Sequence, residues 1–428
     1  MKVILLSGGS GKRLWPLSND VRSKQFLKLL PAPDSGVESM IQRVVRQLRD
    51  AGIGESITIA TGATQIESIR SQLGEGVNVV TEPCRRDTFP AIALSCAYLY
   101  SAGVSDDEQV VVMPCDVFTD DGYFLTLRKM AERVSADVAE LVLMGIKPTY
   151  PSTKFGYVVP ERKISDDCYI VKEFTEKPDS DRAEKLISQN AFWNGGVFAF
   201  RLGYLMNIVR KYSENIDFEY LRDDFGMLPK ISFDYEVAEK AKSVAVVPFS
   251  GEWKDLGTWD ALSGQLPSDT VGYVRTDDVS DTQVVNELDI PVVCCGVNNL
   301  IVAAGADGIL VADKGHCESL KQLVGNIGDM PMYEERRWGW YKVIGRTSYP
   351  DGHNSLTRMI HVNSGCEADF SESGFRSKVI TVIAGCGYVI VDGEERLICS
   401  GDVIDMKQDQ NFKIRSLESL DLIEVCLK

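Results

Sequence analysis

The sequence is poor in histidine and in paired cysteine motifs. Only three of its 428 residues are histidines, His316, His353 and His361, which disfavours metal sites or catalysis built on imidazole groups. The eleven cysteines are an odd number without any Cys-x-x-Cys spacing, and Cys294 and Cys295 are adjacent. Neither a disulfide framework nor a zinc ribbon is therefore predicted, and we expect reduced, mostly buried thiols.

Long apolar runs and basic charge are also scarce. The longest apolar runs, such as Val3–Leu6, Val110–Met113 and Asn299–Ala304, are far shorter than the roughly 18 residues that span a bilayer. The N-terminus passes from one lysine into four apolar residues and then glycines, too short a run for a signal-peptide core. Lysine and arginine number 46 against 62 acids, and the net charge of −16 disfavours binding to nucleic acid or anionic membranes. The sequence predicts a cytoplasmic protein that binds neither nucleic acid nor a membrane. A polyanionic ligand would need a locally basic site.

The composition and length are those of a globular chain with two or three domains. Over residues 1–265, β-branched runs near 2–6, 56–61, 76–81, 109–114 and 140–146 alternate with amphipathic stretches. This β-α-β-α order predicts a mostly parallel sheet covered by helices. Residues 266–330 show short strands without helices, which predicts a β-rich, β-helix-like connector, and residues 331–428 predict an all-β domain.

A glycine-rich segment with a basic tail follows the first strand. The run Ser7-Gly8-Gly9-Ser10-Gly11-Lys12-Arg13 fits neither a Walker A loop nor a dinucleotide-binding fingerprint, because Leu6, Arg13 and Leu14 occupy required positions. Small residues after a strand still leave backbone N–H groups free to approach a phosphate. Residues 12–28 hold five basic side chains against one acid. The combination favours a polyphosphate site over a solvated turn.

Residues 8–18, followed by Lys24-Gln25-Phe26-Leu27, resemble the signature of sugar-1-phosphate nucleotidylyltransferases, in the version typical of mannose-1-phosphate guanylyltransferases. The resemblance implies a Rossmann-like domain of the GT-A type in which Arg13 and Lys24 hold the triphosphate. The nucleotide-binding residues that it implies in this loop are Leu6, Ser7, Gly8, Gly9, Gly11 and Lys12.

Two aspartates are candidates for a metal site. Asp116 follows a buried-looking strand, at the end where open α/β sheets bind ligands, and Asp255 lies in a tight loop flanked by aromatic residues. Taken alone, an aspartate at a strand end more often caps a turn or a helix. By resemblance the two match the family's magnesium ligands, so Mg²⁺ is the implied cofactor. Val117 stands where the family has histidine, which removes a group that could orient the metal carboxylate.

Residues 82–93 resemble the family segment that lies beside the base and ribose. The implied nucleotide contacts are Glu82, Arg86, Asp87 and Thr88, with Asp87 in place of the family's asparagine. A carboxylate can accept from guanine N–H groups but cannot donate as an amide does, so base selectivity stays open. Asp87 or Thr88 could equally cap a helix.

Three further motifs resemble the elements that hold the sugar phosphate: residues 174–178, 193–198 and 231–240. A polyol needs acceptors and its phosphate needs a cation, which suits an adjacent glutamate and lysine. Asp234 is explained about as well by a helix N-cap. The implied sugar-phosphate residues are Gly156, Glu176, Lys177, Asn194, Gly195 and Asp234.

The C-terminal part resembles the cupin-like domain of type II phosphomannose isomerase, beginning at Arg336. In this resemblance the two histidine positions hold Ser373 and Phe375, the glutamate position holds Lys378, and a later histidine falls at about Phe412. Without imidazole and carboxylate ligands, a transition-metal site of the usual kind is not expected. We predict a structural or oligomerising β domain without isomerase activity, through which a homo-oligomer could form.

Together the motifs predict an enzyme that makes GDP-mannose and diphosphate from GTP and α-D-mannose 1-phosphate. Mg²⁺ on Asp116 and Asp255 would stabilise charge at the α-phosphate. Two alternatives stay open. The substrate could be another sugar 1-phosphate or nucleotide, or the protein could be a non-catalytic sugar-nucleotide-binding subunit, although a binder would not need both aspartates.

Overall fold

The computed structural model describes residues 1–9, 12–327, 330–371, 375–407 and 412–427. Gly11 and Ser373 lie outside the described residues. The chain divides into two compact units, the first formed by Met1–Gly9, Lys28–Ile66 and Glu75–Gly257, and the second by Ser10–Leu27, Glu67–Gly74 and Thr258–Lys428. The three-domain division expected from the sequence stays a prediction.

The first unit is built on a nine-stranded sheet with the order β5-β4-β1-β6-β11-β8-β12-β10-β9. The strands of this unit are β1 (Lys2–Ser7), β2 (Leu30–Pro31), β3 (Val37–Glu38), β4 (Ile57–Gly62), β5 (Asn78–Glu82), β6 (Gln109–Pro114), β7 (Val117–Thr119), β8 (Leu141–Ile146), β9 (Tyr157–Ser165), β10 (Cys168–Thr175), β11 (Phe192–Arg201), β12 (Val244–Phe249) and β13 (Trp253–Asp255). Strands β5, β4, β1 and β6 are parallel, as are β8 and β12, while β11 runs antiparallel to β6 and β8. The predicted mostly parallel sheet is confirmed.

The α-helices are α1 (Met40–Asp50), α2 (Ile66–Leu73), α3 (Thr88–Ser101), α4 (Asp121–Ser135), α5 (Ser180–Ser188), α6 (Leu202–Val209), α7 (Phe218–Asp223), α8 (Trp259–Ser263) and α9 (Leu320–Leu323). Helix α3 is apolar on nearly all sides and packs in one core with Ile4, Val112 and Phe198 of the sheet. Its burial fixes its N-terminus near the carboxyl ends of the parallel strands. Within the described ranges, no helix is both long and apolar enough to cross a membrane.

The second unit is mainly β-structure. Its strands are β14 (Thr270–Val271), β15 (Val274–Ser280), β16 (Gln283–Asn286), β17 (Val292–Asn298), β18 (Leu300–Gly305), β19 (Gly308–Asp313), β20 (Tyr333–Arg336), β21 (Gly339–Ser348), β22 (Asn354–Val362), β23 (Glu367–Asp369), β24 (Ser377–Ala384), β25 (Cys386–Val391), β26 (Glu394–Cys399), β27 (Val403–Lys407), β28 (Phe412–Ser416) and β29 (Leu420–Leu427). Successive short strands pair in parallel, as in Val284 with Val302, which is the stacking of a short β-solenoid.

Two antiparallel sheets follow the solenoid, with the orders β20-β21-β22-β29-β24-β27 and β23-β28-β25-β26. Their shared core includes Ile380, Phe412 and Leu422, all almost fully buried. Alternating apolar residues along each strand produce this core, because successive side chains of a strand point to opposite faces. The all-β architecture predicted for this part of the chain is confirmed.

The cysteines depart from the expectation in one place. Cys386 and Cys399 stand opposite each other on β25 and β26, and their sulfurs form a disulfide bond. The prediction of reduced thiols is wrong for this pair, because direct cross-strand neighbours bring the two sulfurs into contact. Most of the remaining cysteines are buried, as expected.

A buried cluster of charges lies inside the C-terminal β domain. The carboxylate of Glu424 is fully buried and accepts from Arg358, while Lys378 Nζ lies 3.2 Å from Glu424 Oε1. Lys378 Nζ also donates to the Phe370 carbonyl at 2.9 Å. Buried charges are tolerated when they are paired in this way.

We expect Lys378→Met to destabilise the protein, because it leaves Glu424 with a single cationic partner. The loss should be about 1–3 kcal/mol in the free energy of unfolding, the cost of an incompletely satisfied buried acceptor. The control Glu395→Gln, at the exposed pair that Glu395 forms with Arg415 at 2.8 Å, should cost less than about 0.5 kcal/mol. Urea unfolding followed by circular dichroism measures both, and equal effects would contradict the assignment.

Candidate active site

The glycine-rich loop leaves the sheet beside the end of β6. Leu6 of β1 pairs with Pro114 of β6, and the backbone N–H of Cys115 donates to the Leu6 carbonyl at 3.2 Å. Gly8 and Gly9 follow and are exposed. The carboxyl ends of adjacent parallel strands form one edge of the sheet, where ligands bind in open α/β folds. The loop and the residues after Pro114 therefore share this edge.

The conformation of Gly9 suits a loop that a phosphate can approach. Its φ is +122°, in a region that residues with a Cβ rarely adopt. A Cβ placed at Gly8 or Gly9 would meet no atom within 4 Å, so the space around both is open. Backbone N–H groups in such a loop can reach an anion. Ser7, just before the loop, is buried.

Asp116 and Asp255 lie at neighbouring positions on this edge. Asp116 directly precedes β7, and β7 pairs antiparallel with β13 so that Asp255 stands opposite Val117. The charge of Asp116 also reaches Tyr123, whose pKa is raised by its own burial and by that carboxylate. The strand pairing sets Asp255 opposite the residue that follows Asp116. The role of the two aspartates as metal ligands stays a prediction.

This pair of carboxylates fits a divalent cation of the kind that takes its other ligands from substrate phosphates and water. Among the described residues, no cluster of three or more histidine, cysteine or acidic side chains is suited to hold a metal ion. A donor set of two carboxylates suits a cation that arrives with a phosphorylated substrate, and not a cage made of protein ligands alone.

Glu82 lies at the carboxyl end of β5, opposite Gly62 of β4. Its burial raises the pKa of Glu82 to about 7, with Arg85 opposing and Asp87 adding to the increase. This side chain is therefore half-buried at an edge where a ligand could contact it, as the sequence predicted for a nucleotide.

The residues after Glu82 are engaged with the backbone. Arg86 donates from Nε and Nη2 to the Leu228 carbonyl at 3.1 and 2.9 Å. Asp87, at φ +74°, caps helix α3 by accepting from the Thr88 N–H at 2.7 Å. Thr88 Oγ1 accepts from the Phe233 N–H at 2.8 Å. The capping role foreseen for Asp87 is present, and the nucleotide contacts of these three residues stay predictions.

The predicted sugar-phosphate residues converge in one cluster. The Asn194 N–H donates to the Gly156 carbonyl at 2.8 Å, and Asn194 Nδ2 donates to Asp234 Oδ1 at 2.6 Å. A Cβ at Gly156 would lie against Glu176 Oε2, so a larger residue there would displace the Glu176 carboxylate. Gly195, the next residue along β11 after Asn194, is buried. Within the described part of the chain Glu176 Oε2 is buried without a hydrogen-bond partner, which leaves an acceptor for a ligand.

The charges of this cluster are coupled. Burial opposes the charge on Lys177, yet the ion pair with Glu176 raises the pKa of the Lys177 ammonium above its usual value. Burial raises the pKa of Asp234 to about 6, and the charge of Glu176 adds to the increase. The Glu176 N–H donates to Glu239 Oε1 at 3.2 Å. Acceptors for hydroxyl groups and a cation for a phosphate are thus present together.

Aromatic rings connect this cluster to the loop that carries Asp255. The ring of Phe155 lies 5.0 Å from that of Trp193 and 5.4 Å from that of Trp253, measured between centroids. Sequence reasoning missed Phe155 and Glu239 as residues of the site. The position of Phe155 directly before Gly156 was the one local signal for it.

The predicted cations lie in the second unit, in the segment that follows the glycine-rich loop. Lys12 Nζ lies 3.3 Å from Asp20 Oδ2, Arg13 is exposed, and Lys24 is half-buried in a 3-10 turn. The basic side chains are therefore presented by a loop segment, and their contact with a triphosphate stays a prediction.

The positions that would carry the isomerase metal ligands are occupied by side chains of other types. Phe375 and Phe412 are buried, and Lys378 is paired with Glu424. These side chains offer no ligand of the type expected for a cupin metal. Two expectations for this domain stay predictions: that it has no isomerase activity, and that a homo-oligomer could form through it.

The sheet, with a glycine loop and Asp116 at the carboxyl ends of its parallel strands, defines a Rossmann-like α/β protein with a candidate ligand site at that edge. Residues 2–269 match the Nucleotidyl transferase family. The chain belongs to this family, and the predicted enzyme class is confirmed. Nucleotidyltransferases generally use a divalent metal.

Relatives resemble the chain over most of its length. Mannose-1-phosphate guanylyltransferase from Salmonella muenchen is 30% identical, with 92% of this chain and 87% of that protein covered. Mannose-1-phosphate guanylyltransferase RfbM from Salmonella typhimurium strain LT2 is 31% identical, with 85% and 80% covered. A solved structure from Thermus thermophilus, described as mannose-1-phosphate geranyltransferase, has a TM-score of 0.64 at 30% identity and covers 76% of this chain and 98% of its own.

The raised pKa of Asp234, about 6, gives a testable pH dependence. Between about pH 4 and 6 the folded protein holds a proton on Asp234 that the unfolded chain has lost, so this group stabilises the fold at low pH and the contribution disappears as pH rises. Asp234→Asn removes the titration, and its amide oxygen can still accept from Asn194.

The variant should gain stability over the wild type as pH rises from about 4 to 7, by up to about 3 kcal/mol. Urea midpoints at several pH values measure the difference, and comparison within the pair cancels the other titrating groups. The control Asp181→Asn, an exposed position on α5, should follow the wild type. A constant difference between Asp234→Asn and wild type at all pH values would contradict the assignment.

Proposed function

We propose that the protein is a mannose-1-phosphate guanylyltransferase, which converts GTP and α-D-mannose 1-phosphate into GDP-mannose and diphosphate. The observation that carries the proposal is the pairing of β7 with β13, which sets Asp255 opposite the residue after Asp116 beside the glycine loop. The relatives that bear this name, at about 30% identity over most of the chain, support the choice of substrates.

In the proposed reaction an oxygen of the sugar phosphate attacks the α-phosphorus of GTP. The bond from the α-phosphorus to the bridging oxygen of the β-phosphate breaks, and diphosphate leaves. A bound Mg²⁺, held by Asp116 and Asp255, would supply positive charge to the phosphate oxygens. Arg13 and Lys24 hold the triphosphate, so its leaving group is neutralised without a covalent enzyme intermediate.

The sugar phosphate is held by the polar cluster. Lys177 binds its phosphate, while Glu176 accepts from hydroxyl groups with the buried oxygen that has no partner within the described residues. Asn194 and Asp234, hydrogen-bonded to each other at 2.6 Å, offer further polar groups to the sugar hydroxyls. Holding both substrates in line converts a bimolecular encounter into a positioned reaction.

On the nucleotide side, Glu82 is the acceptor best suited to guanine. Guanine presents N–H donors on its pairing edge, and a carboxylate accepts from two donors at once. The half-buried position of Glu82 at the end of β5 supports this role.

Asp116→Asn and Asp255→Asn should each lower kcat by at least about 100-fold, because each removes one charge from the metal-binding pair. Steady-state kinetics by diphosphate release measure the loss. Asp260→Asn, an exposed position in the first turn of α8, serves as the control and should retain activity. Wild-type turnover in Asp116→Asn would refute the metal assignment.

A substrate panel decides between this function and its alternatives. GTP, ATP, UTP and dTTP are each combined with mannose, glucose and galactose 1-phosphates in the presence of Mg²⁺, and diphosphate release is measured. We expect GTP with mannose 1-phosphate to give the highest kcat/KM. A higher value for another pair would identify a different nucleotidylyltransferase, and tight GDP-mannose binding without turnover would identify a binding subunit.

A further inference from the structure

The segment that carries Arg13 and Lys24 packs with the second unit, although it directly follows a strand of the first. Its regular structure consists of two 3-10 turns, Lys12–Leu14 and Lys24–Phe26. Such a segment has no long hydrogen-bonded ladder of its own, and ordering it costs conformational entropy. The placement of its cations therefore depends on the contacts of the residues between the two turns.

Asn19 shapes this connection and ties it to the β-solenoid. Its side-chain oxygen accepts from the N–H groups of Val21 and Arg22 at 2.9 and 2.7 Å, which closes a tight turn. Its Nδ2 donates to Asp307 Oδ2 at 2.7 Å. The other oxygen of Asp307 accepts from the Met332 N–H at 2.7 Å, so the carboxylate is held on both sides.

Arg22 makes the second attachment. Its two terminal nitrogens donate to the two carboxylate oxygens of Glu287 at 2.7 and 3.0 Å. This bidentate ion pair fixes the orientation of the guanidinium and also neutralises its charge. The guanidinium also lies 5.0 Å from the centre of the Tyr333 ring. The Arg22 side chain is only 14% exposed, so solvent screens this pair weakly.

A cavity of about 470 Å³ borders both attachments, with a lining that includes Leu17, Asn19, Arg22, Glu287, Asp307 and Trp340. Close packing is what usually fixes a buried segment, and on this side the cavity interrupts it. On the side of the cavity the directional polar contacts fix the turn, while Leu14, Leu17 and Phe26 of the same segment are buried by packing.

We propose that Asn19 and Arg22 are positioning residues, through which the β-solenoid holds the phosphate-binding cations in place by means of Asp307 and Glu287. The inference rests on the proposed function in one respect, that Arg13 and Lys24 contact the triphosphate. It assigns to the solenoid a part in nucleotide binding that is separate from any activity of the C-terminal β domain.

Asp307→Asn tests the attachment with little change of shape. If the introduced amide keeps its oxygen toward the Met332 N–H, its NH₂ group faces the NH₂ group of Asn19. Both groups are donors, so the hydrogen bond between residues 19 and 307 is lost. The affinity for inorganic tripolyphosphate with Mg²⁺, measured by calorimetry on the full chain, should fall about tenfold. KM for GTP should rise by a similar factor, while KM for mannose 1-phosphate should stay within about twofold.

The reciprocal variant supplies the rescue. Asn19→Asp combined with Asp307→Asn exchanges donor and acceptor, keeps the net charge, and lets residue 19 still accept from the two N–H groups of its turn. It should restore tripolyphosphate affinity to within about twofold of wild type. Glu395→Gln, at an exposed ion pair of the C-terminal β domain, is the control and should bind as wild type does. Should Asp307→Asn fail to fold, Arg22→Lys, which keeps the charge but loses the fork, replaces it with the same expected result.

Unchanged tripolyphosphate affinity in Asp307→Asn, or a loss that the reciprocal variant does not recover, would overturn the proposal. So would a wild-type protein that does not bind tripolyphosphate. If the wild type binds tripolyphosphate but transfers no nucleotide to any sugar phosphate, the proposed function fails, while the positioning proposal is still decided by the affinities of the variants.

Discussion

The antiparallel pairing of β7 with β13 is the constraint on which the site depends. Each strand has three residues, and their register sets Asp255 opposite Val117, next to Asp116. Asp116 also follows β6, at the edge of the sheet where the glycine loop leaves β1.

Each compact unit carries some of the residues that the sequence predicted for substrate binding. The first presents carboxylates and the polar cluster around Asn194, linked to the Asp255 loop by the rings of Phe155 and Trp253. The second presents the basic segment with Arg13 and Lys24. In a chain with a net charge of −16, the cations predicted to hold a triphosphate lie in one short stretch of sequence.

Much of the fold could be predicted because its signals are local. The run of β-branched residues at 109–114 identifies a buried strand by itself, and Asp116 follows it within two residues. The side chains that complete the site depend on distant pairing. Glu239 accepts from the Glu176 backbone, 63 positions away in the sequence, and Asn19 donates to Asp307, 288 positions away. Periodic patterns in a sequence report on neighbouring residues and cannot predict contacts over such separations. The bond between Cys386 and Cys399 was missed for the same reason, since it follows from strand register and not from spacing.

The C-terminal β domain has a buried cation, Lys378, at the position where the resemblance places a metal-ligating glutamate. A cupin that folds around a bound metal loses part of its stability when that ion is scarce, because binding free energy is then folding free energy. Lys378 belongs to the chain, so its positive charge at Glu424 is always present in a one-to-one ratio. If the β domain holds no metal, as the sequence predicts, its stability should not depend on the supply of metal ions.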